Sequence, residues 1–210
     1  MELPANTRHR LKDERLGEIL DIAAEVFLAN GFAAASTNEI ARRANTSKST
    51  FYTRFPNKET LFLAVLERRM EVLFETVSSA LPEGPPIRKT LKEFSSRFLE
   101  AALSVDQVRL IRVVSMESDN FPQLGRRFFE LGPQRGHQIL AAYFSRQVSA
   151  GRLRSENADT MAQQFLSLLS GGPVRWVALG LQQPPFTAEQ QAKHIEATIK
   201  MFLRAYEASR

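Results

Sequence analysis

The chain contains 210 residues, of which 43% are hydrophobic and 24% are charged, and its formal net charge is +5. This composition is ordinary for a soluble globular protein with one core of good size or two small ones. The absence of cysteine excludes disulfides, thiolate nucleophiles and the common zinc sites, and the sequence lacks a glycine-rich phosphate loop. It also lacks an apolar run long enough to span a membrane and an apolar N-terminal stretch, so we expect a cytoplasmic protein.

Residues 1–12 are polar and include three cations, which indicates a mobile basic arm. Such an arm either reaches into a groove of nucleic acid or only adds positive charge, and both interpretations stay open. From Asp13 onward, apolar residues recur every three or four positions and predict a helix that ends at Asn30-Gly31.

Residues 36–58 predict a short helix, a tight turn and a second short helix. Ser36 followed by Glu39 forms a capping box that starts the first helix. Asn45 lies where the chain must turn, and asparagine tolerates a left-handed backbone better than most other residues. Ser47 can then cap the second helix.

The second helix has two distinct faces. Phe51 and Phe55, four residues apart, point the same way and are expected to pack this helix against the first. The opposite face carries side chains that suit phosphate oxygens and base edges, namely Lys48, Ser49, Tyr52 and Thr53. Residues 36–58 contain five basic residues and one acid, a net +4 of the chain's +5. Because a cluster of cations is often only a solvated face, the helix and turn pattern is what makes nucleic acid the favoured partner.

The remainder of the chain has helical periodicity throughout. Asn57 caps a long helix after Pro56, and the breaker cluster Leu81–Pro86 separates that helix from the later ones. We expect an interruption at Gly132-Pro133 and a helix kink at Pro173. Since no alternating strand and no internal repeat is present, the predicted fold class is all-α.

The stretch from about Leu16 to Leu66 resembles the DNA-binding domain of TetR-family transcriptional regulators. The residues that carry this resemblance are, in chain order, Ser36-Thr37, Ile40-Ala41, Ser47-Lys48, Thr50-Phe51-Tyr52, Phe55, Asn57-Lys58-Glu59 and Leu61. The chain departs from the usual family pattern with Asn45 and Ser49 where glycine is common, and with Thr46 where valine is common. Ser49 enlarges the surface beside the DNA, so the operator sequence is not predicted.

The resemblance implies a set of residues at the DNA surface. These residues are Thr37, Lys48, Ser49, Thr50, Tyr52, Thr53, Arg54 and Lys58. By the same resemblance, Tyr52 and Lys58 would contact phosphates. Lys48, Thr53 and Arg54 would read bases.

A second part of the chain resembles the ligand domain of the AefR-like branch of the same family. The matching segments are Met116-Glu117, Phe121-Pro122, Phe128–Pro133 and Gly151-Arg152-Leu153. Together the two resemblances imply a three-helix helix-turn-helix domain at residues 13–58 and a larger helical domain at residues 59–210. The second domain would bind a ligand and form a dimer.

The family resemblance implies a cavity between the later helices. The candidate lining residues are Phe94, Phe98, Met116, Phe128, Phe144, Phe165, Leu169 and Trp176, with Glu117 and Arg175 as polar anchors. The alternative is that the aromatic residues only fill a helical core and that the two charged residues lie on the surface.

The resemblance further implies a homodimer in which the last two helices pair with their copies. This would bury Trp176, Leu181, Ile195, Ile199 and Phe202, although the same stripes could instead pack within one chain. A dimer is expected because one short helix contacts few bases, whereas two copies read half-sites about 34 Å apart.

The predicted function is therefore a regulator that binds double-stranded operator DNA. We expect a repressor that is released by a small, largely apolar effector, without a cofactor, metal or membrane partner; activation by the same parts stays open. A helical enzyme is the first alternative, but the sequence shows no base, nucleophile or metal cluster, and His9, His137 and His194 are far apart. A protein-interaction module that reads no DNA is the second, and the cations of residues 48–58 argue against it.

Overall fold

The computed structural model describes residues 5–84, 86–181 and 186–208, with side chains from Glu14 onward within those ranges. The described residues form helices and one isolated β-bridge, between Leu153 and Glu207, but no β-strand. The predicted all-α fold class is thereby confirmed. In the described part of the chain, no helix combines the length and apolar character that crossing a membrane requires.

The N-terminal part of the chain contains four helices. They are α1 (Ala5–Ala34), α2 (Thr37–Arg43), α3 (Lys48–Arg54) and α4 (Lys58–Ser78). The break predicted at Asn30-Gly31 is confirmed, because Gly31 has φ 77° and interrupts the helical conformation within α1.

The start of α1 differs from the prediction. The backbone is helical from Ala5, before the expected start at Asp13. No glycine or proline lies between these positions, so the packed part of the helix can extend toward the N-terminus. Residues 1–4 of the predicted basic arm lie outside the described residues, as do the side chains up to Asp13, and contact of the arm with DNA stays a prediction.

Six helices follow the predicted breaker cluster. They are α5 (Ile87–Ala102), α6 (Val105–Glu117), α7 (Pro122–Phe129), α8 (Arg135–Ser149), α9 (Ala158–Ala178) and α10 (Ala188–Tyr206). Gly84, in the connection between α4 and α5, has φ 107°, a conformation that favours glycine.

The interruption expected at Gly132-Pro133 is a π-helical turn instead of a break. This turn, Glu130–Gln134, connects α7 directly to α8. Its wider hydrogen-bonding pattern lets the helical chain pass Pro133, which has no backbone N–H to donate. Pro173 also lies inside a helix, because α9 continues past it to Ala178.

The chain forms two compact units. Unit 1 comprises residues 1–71 and 113–128, and unit 2 comprises residues 72–112 and 129–210. Most of α4 and the segment 113–128 pack with the N-terminal helices in unit 1. The domain boundaries 13–58 and 59–210 stay a prediction.

The core of unit 1 is built around phenylalanine rings. Phe27 and Phe62 have ring centroids 4.9 Å apart, and Phe32 lies 5.4 Å from Phe62. Phe121, from the segment 113–128, packs against Phe32 at 5.0 Å. This cluster lies beneath the loop that joins α1 to α2.

The core of unit 2 is a second aromatic cluster. Phe144 stacks on Phe202 at 4.7 Å, and Phe165 meets Phe202 edge to face at 5.1 Å. Phe94 extends the cluster toward α5, with its centroid 6.4 Å from that of Phe165. Helices α5, α8, α9 and α10 therefore bury a common interior.

Candidate nucleic-acid interface

The turn between α2 and α3 is fixed by hydrogen bonds at both sides. Ser36 Oγ accepts from the backbone N of Glu39, which confirms the predicted cap of α2. Asn45 has φ 46°, the left-handed conformation expected at the turn. Arg15 of α1 donates from Nη2 to the carbonyl oxygens of Ala44 (2.6 Å) and Asn45 (3.0 Å).

The role of Arg15 is not visible in the sequence. Its guanidinium supplies a charged donor to carbonyl groups that the end of α2 leaves without helical partners. The two ends of this contact are separated by 29 residues, so no local pattern indicates it. Arg15 thus ties the turn between α2 and α3 to α1.

Helix α3 is held by its apolar side. Phe51 and Phe55 are 2% and 4% exposed, and their ring centroids lie 5.5 Å apart. Ser47 Oγ accepts from the backbone N of Thr50 at 3.1 Å, which confirms the predicted cap. Because the phenylalanines face inward, the polar side of α3 faces outward.

The predicted recognition residues of α3 lie on that outward side. Six of them are exposed, namely Lys48, Ser49, Thr50, Tyr52, Thr53 and Arg54. Thr37 of α2 is partly buried, and its Oγ1 lies 2.9 Å from the hydroxyl of Tyr52. Tyr52 therefore bridges α2 and α3 while its ring remains accessible.

Two of the threonine hydroxyls are oriented by the protein itself. Thr53 Oγ1 donates to the carbonyl oxygen of Ser49 at 2.8 Å, and Thr50 Oγ1 lies 2.8 Å from Ser47 Oγ. Each hydroxyl oxygen keeps lone pairs that can accept a hydrogen bond. These hydroxyls are therefore oriented to accept from donors such as the amino groups of bases.

Lys58 is placed differently from the other predicted contacts. Its Nζ donates to the carbonyl oxygen of Ala33 at 2.7 Å and approaches that of Ala35 at 3.5 Å. It also lies 4.9 Å from the centroid of the Phe32 ring, within cation–π range. Lys58 is partly buried and joins the start of α4 to the loop before α2, a role the sequence did not indicate.

An ion pair ties α1 to α4 in the same unit. Arg68 donates from Nε and Nη2 to the two carboxylate oxygens of Asp21, each at 3.0 Å. The hydrogen bonds from Arg68 lower the pKa of the Asp21 carboxyl below its usual value. The pair is therefore intact at neutral pH and is lost only on acidification, as Asp21 takes up a proton.

The predicted ligand-pocket residues do not form one group. Phe94, Phe144, Phe165 and Leu169 are buried in unit 2, and Phe98 is partly buried beside them. Trp176 and Arg175 are exposed on α9. Met116, Glu117 and Phe128 belong to unit 1.

The two predicted polar anchors lie in different surroundings, and their role at a ligand stays a prediction. Glu117 Oε1 accepts a hydrogen bond from the backbone N of Ala33 at 3.3 Å, so this carboxylate stabilises the loop before α2. Arg175 is exposed on α9. From the sequence alone, a charged residue at a core cannot be told from one at a helix surface.

The predicted dimer residues also need correction. Ile195, Ile199 and Phe202 are 4%, 0% and 2% exposed, and they lie in the core of unit 2. They cannot face a second chain there, which favours the alternative that this stripe packs within one chain. Leu181 is 72% exposed, as a dimer contact requires.

Two regions of the sequence match known families. Residues 19–65 match the family described as bacterial regulatory proteins, tetR family. Residues 89–208 match the C-terminal domain of the AefR-like transcriptional repressors. The chain belongs to the TetR family of transcriptional regulators.

Individual relatives agree with the TetR assignment. The HTH-type transcriptional activator FasR of Mycolicibacterium smegmatis is 39% identical over 89 residues, which cover 42% of this chain and 41% of that protein. The structure of the flavonoid-responsive regulator FrrA is 31% identical, with a TM-score of 0.78, and the match covers 94% of this chain and 100% of that one. A TetR-family regulator from Mesorhizobium loti has a TM-score of 0.87 at 24% identity, with 93% and 98% of the two chains covered, and shows the same fold. The reported relatives are transcriptional regulators and not enzymes.

The left-handed turn at Asn45 gives a stability prediction. Asn45→Val places a β-branched side chain at φ 46° and should lower the free energy of unfolding by about 1–2 kcal/mol. Asn45→Gly is the matched control and should stay within about 1 kcal/mol of the parent, since glycine relieves the strain but adds entropy to the unfolded chain. Urea unfolding followed by circular dichroism measures both, and equal stability of the valine variant and the parent would contradict the turn assignment.

Proposed function

We propose that this TetR-family regulator is a homodimeric repressor that leaves its operator when a small, largely apolar molecule binds the helical C-terminal region. The observation that carries the proposal is the outward polar side of α3, held in place by the buried Phe51 and Phe55. A cation, hydroxyls and a phenol on one exposed helix side match the chemistry of a DNA groove.

The side chains on α3 divide by chemistry into two roles. Lys48, Thr53 and Arg54 contact base edges, because their donors and acceptors are exposed along one side of the helix. Tyr52 contacts a phosphate with its hydroxyl, which Thr37 already orients. Lys58 contributes to DNA binding mainly by holding the loop before α2, since two carbonyl oxygens occupy its ammonium group.

Dimerisation is proposed through the exposed apolar side of α9 and α10. The large apolar side chains exposed there are Leu168, Trp176, Leu179 and Met201, at 42%, 41%, 68% and 58%. Leu168, Leu179 and Met201 replace the three buried residues first predicted for the interface, and Leu181 extends the same group. Exposed apolar side chains of this number on neighbouring helices mark an interaction surface.

Helices α9 and α10 lie next to each other. Gln164, one turn before Leu168, accepts a hydrogen bond from the hydroxyl of Tyr206 at 2.6 Å. His194 Nε2 lies 2.8 Å from the carbonyl oxygen of Leu169. The two helices are thus antiparallel neighbours, so that Leu168 and Met201 can meet a second copy together.

Repression is proposed because the C-terminal match is to a domain described as that of a repressor, and it spans residues 89–208. FasR is described as an activator, but its alignment covers only 41% of that protein. The relative FrrA is described as flavonoid-responsive and aligns over its whole length, which supports an aromatic effector for this chain.

Helix α4 is the proposed route between effector and DNA. It begins at Lys58, beside the DNA-reading helices, and its last residues, 72–78, belong to unit 2. The effector changes operator affinity only to the extent that it binds the DNA-free arrangement more tightly than the DNA-bound one.

Lys48→Ala tests the DNA-binding role directly. The affinity for DNA fragments from upstream of the gene should fall by at least about fivefold, and the salt dependence of binding should weaken by about one charge per copy. Fluorescence anisotropy at several salt concentrations measures both quantities. Lys92→Ala, which removes an exposed lysine of α5, is the control and should bind like the parent.

Lys58→Ala separates a phosphate contact from a structural role. Because Lys58 holds the backbone at Ala33 and Ala35, this variant should lose about 1–2 kcal/mol of stability as well as operator affinity. Lys48→Ala should keep the stability of the parent.

If Lys48→Ala binds operator with unchanged affinity and unchanged dependence on salt concentration, α3 is not the helix that contacts DNA.

Leu168→Glu tests the dimer surface. A carboxylate in each copy of an apolar interface should weaken dimerisation by at least about tenfold and reduce operator binding with it. Analytical ultracentrifugation measures the dimer. Ser167→Glu, an adjacent exposed position on α9 with the same change of charge, should remain dimeric, and a dimeric Leu168→Glu protein would exclude this surface.

A further inference from the structure

The loop before α2, residues 32–35, has no polar side chain of its own. It consists of one phenylalanine and three alanines, whose side chains carry no hydrogen-bonding group. Gly31, directly before it, has φ 77° and ψ 170°, so the regular helical bonding of α1 is interrupted where this loop begins. Partners for the backbone groups of the loop therefore have to come from other parts of the chain.

Two charged side chains supply such partners at a single residue. The carbonyl oxygen of Ala33 accepts from Lys58 Nζ at 2.7 Å, and the backbone N of Ala33 donates to Glu117 Oε1 at 3.3 Å. An ammonium group meets the acceptor and a carboxylate meets the donor, so both hydrogen bonds are charge-assisted. Ala33 is thus held at both of its backbone polar groups, at one by α4 and at the other by α6.

Phe121, one helical turn after Glu117, contacts the neighbouring residue of the loop. Its ring lies 5.0 Å from that of Phe32, edge to face, and Phe32 is 2% exposed. The backbone N of Phe121 donates to the carbonyl oxygen of Glu117 at 2.8 Å, which fixes the two positions relative to each other. Glu117 therefore reaches Ala33 from a position that packing has already set.

The residues held in this way lead directly into α2. Ser36, three residues after Ala33, caps α2, and Thr37 Oγ1 lies 2.9 Å from the hydroxyl of Tyr52 on α3. Because so few residues intervene, a shift of Ala33 is passed on to Thr37 and Tyr52. Both of these residues belong to the proposed DNA surface.

We infer that Glu117 is a positioning residue for operator binding. Its carboxylate does not touch DNA; it holds Ala33 and thereby sets where α2 begins and where Thr37 and Tyr52 lie. The inference rests on the proposed function, because it requires α2 and α3 to bind the operator. It adds a determinant of affinity from outside residues 19–65, the region matched to the tetR family of bacterial regulatory proteins.

Electrostatics alone predicts the opposite effect of this residue. Replacing Glu117 by a neutral residue raises the formal charge of each chain, +5, by one unit, which favours binding to a polyanion. Loss of the hydrogen bond to Ala33 instead lets the loop move and weakens binding. A neutral variant that binds its operator less tightly therefore reveals the positioning role by the sign of the effect.

Two competing explanations make different predictions. If the carboxylate acts on DNA only by repulsion, every neutral variant at position 117 binds more tightly than the parent. If it only stabilises the fold, the variants unfold at a lower temperature while the folded protein keeps the affinity of the parent.

The decisive comparison is between Glu117→Ala and Glu117→Gln. Both remove the charge, but the glutamine side chain keeps a carbonyl oxygen that can accept from the backbone N of Ala33. Asp119→Ala is the matched control, because it removes an exposed acid two residues further along the chain. Thermal unfolding of each full-length variant shows that it is folded at the temperature of the measurements.

Binding is measured by fluorescence anisotropy at several salt concentrations. One DNA fragment is selected by the parent from genomic DNA, and a shuffled fragment of the same composition serves as non-specific DNA. Hydrogen–deuterium exchange of the peptide that covers residues 28–40 reports on the loop itself.

Glu117→Ala should bind the selected fragment at least about threefold more weakly than the parent, which corresponds to the loss of one net hydrogen bond. The dependence on salt concentration should not change, because no phosphate contact is lost, and the affinity for the shuffled fragment should not fall. The peptide 28–40 should exchange faster than in the parent. Glu117→Gln and Asp119→Ala should stay within about twofold of the parent on the selected fragment.

The inference is overturned if Glu117→Ala binds the selected fragment as tightly as the parent or more tightly. It is also overturned if Glu117→Gln or Asp119→Ala loses as much affinity as Glu117→Ala, since the hydrogen bond to Ala33 would then not be the cause.

The proposed function is scored separately, on the parent and on Lys48→Ala. If the parent selects a fragment and Lys48→Ala loses affinity for it while Glu117→Ala does not, the proposed function stands and the inference is rejected. A parent protein that selects no DNA fragment rejects both.

Discussion

The outward position of the polar side of α3 follows from the burial of Phe51 and Phe55. These two rings, 5.5 Å apart, give the seven-residue helix its attachment to the rest of unit 1. A helix this short has little stability of its own, so its orientation is set by tertiary packing. Lys48 and Thr53 are presented to solvent because the opposite side of the helix is anchored.

The surroundings of α3 fix where that anchored helix lies. Arg15 holds the carbonyl groups at the turn, and Asn45 supplies the left-handed residue that the turn needs. Lys58 holds the loop before α2 through the carbonyl oxygens of Ala33 and Ala35, and Glu117 accepts a hydrogen bond from the backbone N of Ala33. The loop before α2 is therefore hydrogen-bonded by side chains of both α4 and α6. Residue 117 falls within the region matched to the AefR-like C-terminal domain, so a residue of that region contributes to the support of the loop before α2.

The sequence was sufficient where the deciding interaction is local. Caps at Ser36 and Ser47, the turn at Asn45 and the inward pair on α3 all depend on residues within about one helical turn of each other. The sequence was insufficient where a distant partner decides. Periodicity shows that α10 has an apolar stripe. In the structure Phe202 packs in the core of the same chain, whereas Met201 is exposed. The stripe alone does not show whether an apolar residue packs within the chain or at an interface. Proline usually ends a helix, so a break was expected at Pro133. Whether the chain forms a π-helical turn there instead depends on how the flanking helices pack, which periodicity does not show.

The most direct test of the central claim, that the polar side of α3 contacts the duplex, is site-specific photocrosslinking of the full chain. A photoreactive residue is introduced at Ser49, exposed on α3, and separately at Ser96, exposed on α5, and each protein is irradiated with genomic DNA fragments that the parent enriches. We predict a DNA adduct from position 49 that is lost when unlabelled specific fragments are added in excess, and no adduct from position 96. Adducts of equal yield from both positions, or none from position 49 in a protein that still binds DNA, would contradict it.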